Sequence, residues 1–309
     1  MDAQSFSGDR VSAVIVHYKT PEDTLTAARA VAETAPAAEI VVVDNASGDG
    51  VADELARRLP GARLIRESVN RGYGAGCNRG ARGSSRPFLL FLNSDARVLP
   101  GAIEALERAL EDDPAAAAAG PRLLDAEARP QASIRLLPTP WRIFCESSGL
   151  AFLAGGREPF GGHTQTRQDH RPGLRVAVAV EALMGAALLV RRADFEAAGG
   201  FDESFFLYAE ETDLMRRLRD AGRRILFVPD AEVVHVGGRS GGDRLFGQLH
   251  ASLVRYVRKH HGGAEAGLAA LLLDAGAAGR YAAALLTPGE RGRARRLRYR
   301  SALQRRSAR

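Results

Sequence analysis

Residues 88–96 read FLLFLNSDA, five apolar residues that stop abruptly at an amide, a hydroxyl and a carboxylate. A segment that is apolar at every position, not at alternate ones, is the pattern of a strand covered on both faces. Asn, Ser and Asp bond their own backbone readily, so Asn93-Ser94-Asp95 taken alone is a turn. Outward from this stretch the pattern repeats. Residues 11–16 are apolar and β-branched, followed by Thr20-Pro21-Glu22-Asp23, a helix start, and an alanine-rich stretch to Ala35. Residues 39–43 form a second buried strand ending at Asp44-Asn45; helical spacing covers 51–59, a strand 63–65, and helices 73–82 and 101–110. Strands alternating with helices predict right-handed βαβ units, an α/β fold with a mostly parallel central sheet and helices on both faces. Ligands of such sheets sit beyond the carboxyl ends of the strands. Asp44-Asn45 and Asn93-Ser94-Asp95 are therefore expected to line one crevice.

Further on, residues 120–178 carry Pro121, Pro130, Pro138, Pro140, Pro159 and Pro172 and the pairs Gly155-Gly156 and Gly161-Gly162. This segment reads as an excursion over the site. Strands are expected at 176–180 and 186–190, a helix at 209–221, and short strands at 224–228 and 232–235. Beyond Arg244 the spacing is helical, and the stretch from 264 to 286 is apolar but broken by Asp274 and Arg280. No uninterrupted apolar stretch approaches the ~18–20 residues that span a bilayer. No internal repeat stands out.

The chain has 309 residues, 45% hydrophobic and 26% charged, which excludes wholesale disorder and suits one large α/β domain with appendages or two small domains. Two cysteines, Cys77 and Cys145, are too few and too far apart for a disulfide framework or a zinc site, and point to a reducing compartment. Residues 1–10 are polar and lack a signal peptide's apolar segment, so a cytoplasmic location is expected. Of the net +6, residues 243–309 contribute +10, fourteen Arg and Lys against four acids, leaving −4 on the remainder. A basic C-terminus interleaved with Leu297, Tyr299 and Leu303 suits attachment to an anionic membrane surface, as on the inner face of a plasma membrane. A base-reading module has no recognisable fold here, so nucleic acid is not expected as a partner.

Three constellations could carry chemistry. In NRGYGAGCNRG, residues 70–80, Gly72, Gly74, Gly76 and Gly80 either let a bulky ligand approach the backbone beside a helix N-terminus or let a helix pack tightly on the sheet. The spacing does not fit a dinucleotide fingerprint, and the run follows the third strand, not the first. In GRSGG, residues 238–242, Ser240 fits a nucleophile elbow, which keeps a serine hydrolase as an alternative. The expected acid and histidine in later strand-end loops are missing, however. In GGFDESFFLYAEETDLMRRLRDAG, residues 199–222, Glu210, Glu211 and Asp213 crowd the first turns of a helix. The macrodipole alone stabilises acids there, yet crowded carboxylates also raise one another's pKa, as a general base requires.

VIVHYKT (14–20), VVVDNASGDG (41–50), NRGYGAGCNRG (70–80), FLNSDA (91–96), MGAALLVRR (184–192), GGFDESFFLYAEETDLMRRLRDAG (199–222) and VVHVGG (233–238) occur in an order that resembles the inverting glycosyltransferases of family two, in their bacterial rhamnosyltransferase-like branch. The resemblance covers roughly residues 10–262. It implies a GT-A catalytic domain over 10–242, with a donor-binding half at about 10–120 and an acceptor half at about 121–242, and a helical, basic extension over 243–309. Tyr18 would then lie against the nucleotide base, and Asp44 would bond base or ribose, with Asn45 beside it. Arg71, Gly74 and Asn78 would meet the nucleotide. Asn93-Ser94-Asp95 is similar to the family's D-x-D signature, with Asp95 binding a divalent cation, Mg²⁺ or Mn²⁺, and His235 as a further metal ligand. Asn93 stands where the signature has its first aspartate, and adds no charge. Glu211 stands where the family's ED pair has its aspartate base; Asp213 is the second candidate, with Gly185 and Glu210 on the acceptor side. The implied reaction moves a sugar from a nucleotide-sugar, dTDP-L-rhamnose before UDP- or GDP-sugars, to a saccharide or lipid-linked saccharide in cell-surface polysaccharide synthesis. A non-catalytic module binding nucleotide-sugar or membrane is the other alternative.

Overall fold

The computed structural model describes residues 8–155, 159–162, 176–237 and 245–304. Two compact units are distinguished, one of residues 8–135, 176–206 and 210–237, the other of 136–155, 159–162, 207–209 and 245–304. Ser240 lies outside the described residues.

The first unit is built on a nine-stranded sheet. Its strands are β1 (Val11–His17), β2 (Glu39–Asn45), β3 (Arg63–Glu67), β4 (Phe88–Asn93), β5 (Ala96–Val98), β6 (Ala116–Leu124), β8 (Val178–Val180), β10 (Ala187–Arg191) and β11 (Arg224–His235). They lie in the order β3-β2-β1-β4-β10-β6-β11-β5, with β8 also on β11; β7 (Ile134–Arg135) and β9 (Ala182–Leu183) form a separate antiparallel pair. β3, β2, β1 and β4 are parallel neighbours, as are β6 and β11, while β10 runs antiparallel between them. The mostly parallel sheet is as the alternation predicts. Every residue of β1 is buried, in keeping with a strand covered on both sides.

Alternation of side chains along the strands decides which helix goes where. Val11, Ala13 and Ile15 face the core shared with α1 (Pro21–Thr34), α2 (Val51–Arg58) and α4 (Ala102–Asp112). Val14 and Val16 face α3 (Tyr73–Arg82), which approaches so closely that a Cβ on Gly80 would stand 2.3 Å from Val14 Cγ1. Phe91, on the same face, packs on Phe195 of α7 (Arg192–Ala197) and on Phe201, with ring centroids 5.0 and 4.9 Å away.

The sequence pattern assigned no strand to 116–124 and divided 224–235 into two. β6 begins AAAAGPRLL, and alanine is a poor strand former and the best helix former. Burial overrides the propensity, for Ala116, Ala117, Ala118 and Ala119 are all fully buried. Pro121 is tolerated because β10 pairs with β6 only through Ala118 and Ala119, so that ladder has ended before the missing N–H. The two short strands expected at 224–228 and 232–235 are one strand, β11, whose register shifts between Val228 and Glu232.

The second unit is helical: α5 (Pro140–Ser148), α6 (Leu150–Leu153), α9 (Phe246–His260), α10 (Gly263–Leu285) and α11 (Gly289–Leu303). By length and composition alone α10 could cross a bilayer, Asp274 and Arg280 being too few to prevent it. Of residues 120–178, expected as an excursion over the site, 120–124 belong instead to β6 in the central sheet, and the other described residues include β7, α5 and α6.

Candidate active site

The carboxyl ends of β1, β2, β4 and β11 carry the polar residues that the sequence singled out. At the end of β4, Ser94 Oγ lies 3.0 Å from Thr20 Oγ1, and Asp95 Oδ1 lies 3.5 Å from Nε2 of His235 at the end of β11. The Val236 amide donates to the Asp95 carbonyl at 3.1 Å, and Gln131 holds His235 from both sides: its amide donates to the His235 carbonyl at 2.7 Å and its Oε1 lies 3.2 Å from Nδ1. Asp95 and His235 are thus brought together from positions 140 residues apart because β5 folds back antiparallel on β11, pairing His235 with Ala96. Among the described residues no group of three or more His, Cys, Asp or Glu could hold a metal ion. One carboxylate and one imidazole suit a hard cation that completes its shell with a ligand's phosphate oxygens.

At the end of β2, Asp44 Oδ1 accepts from the Ser47 amide at 2.8 Å. Asn45 is buried, and its amide donates to Asn70 Oδ1 at 2.9 Å and to the Gly72 carbonyl at 3.0 Å. That clamp fixes the glycine loop, where Gly72 has φ +99° and a Cβ would stand 2.2 Å from the Phe206 carbonyl oxygen. Arg71, next in the loop, is exposed, as is Tyr18 at the end of β1. Asn78 is only 7% exposed. Its amide donates to the Phe201 carbonyl at 2.9 Å and to Glu203 at 3.0 Å, and its Oδ1 accepts from the Phe201 amide at 2.9 Å. Asn45 and Asn78 thus tie the glycine segment to its surroundings.

The sequence reading missed a polar knot under this rim. His17, fully buried at the end of β1, places Nδ1 2.8 Å from Thr24 Oγ1 and Nε2 2.9 Å from Asp49 Oδ2. Ser47 donates to the same carboxylate at 2.7 Å and accepts from the Lys19 amide at 2.6 Å. Burial works to raise the Asp49 carboxyl, but the bonds from Ser47 and His17 prevail and hold it below its ordinary value. The signal available in the sequence was a histidine among apolar strand residues, which has to find buried partners.

The three acids of α8 (Glu210–Asp220) take different positions. Tyr208 and Ala209, just before it, both have positive φ, 68° and 67°, so the helix starts one residue later than expected, after two left-handed residues. Such strain persists only where the surroundings over-determine it. Glu210 is 4% exposed with no hydrogen-bond partner on Oε2. Burial, and then the neighbouring Glu211, pushes its carboxyl well above the ordinary range. Asp213 is fully buried and paired with Arg217 at 2.8 Å, whose other nitrogens donate to the Ala198 and Gly200 carbonyls. Glu211 is half-buried and sits against Gly185, where a Cβ would stand 2.9 Å from its Cγ. Burial raises its carboxyl; backbone N–H bonding and the Arg135 charge act in the opposite direction.

One short path joins the two groups of acids. The Asn93 amide donates to the Ala186 carbonyl at 2.9 Å, and Gly185, one residue earlier, touches Glu211. The end of β4 and the start of α8 therefore meet across the 185–186 loop. Arg135 tunes this site: Arg135→Gln removes a charge that favours the Glu211 carboxylate, so the acidic limb of any Glu211-dependent activity is expected to move to higher pH. A pH–rate profile checks this, and an unmoved limb rejects the assignment.

Comparison with solved structures gives the fold. The Pyrobaculum calidifontis mannosyltransferase PcManGT, solved with GDP-Man and Mn²⁺, superposes with TM-score 0.57 at 17% identity, covering 96% of this chain and 86% of that one. GalNAc-T7, solved with UDP, GalNAc and Mn²⁺, superposes with TM-score 0.57 at 16% identity over 80% of this chain and 47% of that longer one. The fold is the GT-A fold of nucleotide-diphospho-sugar transferases. The family model described as Glycosyl transferase family 2 matches residues 12–165. The N-acetylglucosaminyl-diphospho-decaprenol L-rhamnosyltransferase of Mycobacterium tuberculosis is 32% identical over 240 residues, 72% of this chain and 76% of that one. This chain belongs to glycosyl transferase family 2, and it is a glycosyltransferase.

Proposed function

We propose that the protein is an inverting glycosyltransferase that moves L-rhamnose from dTDP-rhamnose to a hydroxyl of a saccharide or lipid-linked saccharide in cell-surface polysaccharide synthesis. The relative from Mycobacterium tuberculosis, an L-rhamnosyltransferase by name, supports the sugar and the kind of acceptor. The observation that carries the mechanism is the 185–186 loop, bonded to β4 through Ala186 and in contact with Glu211 through Gly185. In this reading residues 10–242 are the catalytic domain and 243–309 a helical extension.

Tyr18, Asp44, Arg71, Gly74, Asn93 and Ser94 bind the nucleotide half of the donor, with Asn45 holding the loop of Arg71 and Asn78 tying α3 to Phe201. Glu211 takes the proton of the acceptor hydroxyl. The oxygen forms a bond to the anomeric carbon as the bond to the diphosphate breaks on the opposite face, and the leaving electron pair departs with the nucleoside diphosphate. Inversion follows from that geometry. Asp95 and His235 would hold a divalent cation, Mg²⁺ or Mn²⁺, which when bound neutralises the charge growing on the diphosphate. Both solved relatives described above contained Mn²⁺. Asp213 and Glu210 lie beside the base and shape its surroundings; the absence of a side chain at Gly185 lets its backbone lie against the Glu211 stem.

Thermal-shift titration with dTDP-, UDP- and GDP-sugars, each with and without Mn²⁺, tests the donor. The largest stabilisation is expected from dTDP-rhamnose with Mn²⁺, since a ligand that binds only the folded state stabilises it. Asp95→Asn is expected to remove the Mn²⁺-dependent part of that shift. Equal shifts for wild type and variant, with and without chelator, would overturn the role of Asp95.

A further inference from the structure

The solvent side of α10 carries an apolar stripe that begins after the exposed Glu265 and is flanked by the partly exposed Asp274. Leu268, Leu271, Ala275, Ala278, Ala282 and Leu285 recur three or four residues apart and are all exposed, Leu271 at 65%. They run along about 26 Å of helix at 1.5 Å per residue. The opposite side, with Ala266, Ala269, Leu273 and Ala277, is buried. Monomeric proteins rarely leave so continuous an apolar surface uncovered. The helix does not stand alone as a membrane span would. It packs with α5, α9 and α11, and Arg280 donates to the Glu146 carbonyl at 2.6 Å from within its length.

What covers the stripe is indicated by charge. α11, packed on α10, has six arginines against Glu290 over Gly289–Leu303, and Arg291, Arg293, Arg295 and Arg300 are exposed. A second copy docking symmetrically through this face would bring two such helices toward each other, like charge against like. An anionic lipid surface offers the opposite charge together with an apolar layer for the leucines. We infer that α10 lies in the interface of an anionic phospholipid membrane, its Leu268–Leu285 stripe inserted among the acyl chains and the arginines of α11 on the headgroups. The inference does not depend on which sugar is transferred.

Cosedimentation of the full chain with phosphatidylcholine vesicles, with and without phosphatidylglycerol, tests it without any sugar nucleotide, so its failure and failure of the rhamnosyl-transfer reading are separate results. Wild type is expected to sediment with the anionic vesicles, and less so as salt is added. Leu268→Glu/Leu271→Glu is expected to lower partitioning more than about tenfold, and Arg293→Gln/Arg295→Gln by about fivefold for each arginine removed. Leu271→Ser supplies a milder change should the double variant lose its fold; a graded loss with an unaltered melting temperature supports the inference. Equal binding to neutral vesicles, undiminished binding by both leucine variants, or a dimer that the leucine substitutions dissolve in the absence of lipid binding would each overturn it.

Discussion

Glu211→Gln is expected to lower kcat by about 10²–10⁴-fold, the usual contribution of a positioned general base, with the donor KM nearly unchanged. The amide fills the same space against Gly185 and keeps the start of α8 folded, but it cannot accept the acceptor's proton. The physical case for Glu211 over its neighbours is one of environment. Its carboxyl is half-buried and raised by that burial, yet the Arg135 charge and backbone N–H groups keep the ionised form accessible. Glu210 has no neighbouring cation to match among the described residues; buried, unpartnered on Oε2 and beside Glu211, its carboxyl is pushed well above the ordinary range despite a backbone N–H bond, which disfavours the ionised form a base needs. Steady-state kinetics on the purified variant, alongside a melting curve to establish folding, check the expectation. Near-normal turnover would remove Glu211 from the role.

Asp213→Ala is expected to cost about 3–5 kcal/mol of stability, the range for breaking a buried ion pair by removing one partner. Arg217 would lose its carboxylate while still held to the Ala198 and Gly200 carbonyls, leaving a cation at a site where Asp213 had been fully buried. Urea denaturation reads the loss directly. Asp213→Asn keeps an acceptor for Arg217 and is expected to lose less stability and to retain most turnover per folded molecule. A collapse of kcat in Asp213→Asn, with the melting temperature unmoved, would transfer the role of base from Glu211 to Asp213. The pairing itself argues against that outcome, because a carboxylate with no exposed surface, bonded to Arg217 at 2.8 Å, does not meet an acceptor hydroxyl.

The candidate site was legible to different depths at different residues. Asn93-Ser94-Asp95 and Asp44-Asn45 announce themselves because strands buried on both faces have no reason to end in polar residues unless they turn or bind. The glycines of residues 70–80 do not announce which of two uses they serve. Gly76 and Gly80 allow α3 to lie on Val16 and Val14, whereas Gly72 supplies a positive φ and a close approach to Phe206. Asn78, in the same segment, turns inward to Phe201 and Glu203. An asparagine's neighbours in sequence say nothing about a partner 123 residues away.

From its sequence alone this protein's alternation of strand and helix, its mostly parallel sheet and the location of its polar strand ends follow, because apolar periodicity and turn chemistry are local properties of the chain. The burial of the alanines of β6, the meeting of Asp95 with His235, and the different surroundings of Glu210, Glu211 and Asp213 were decided only by the tertiary structure. Desolvation and charge pairing depend on what is packed around a group, and at these positions the packing comes from distant parts of the chain.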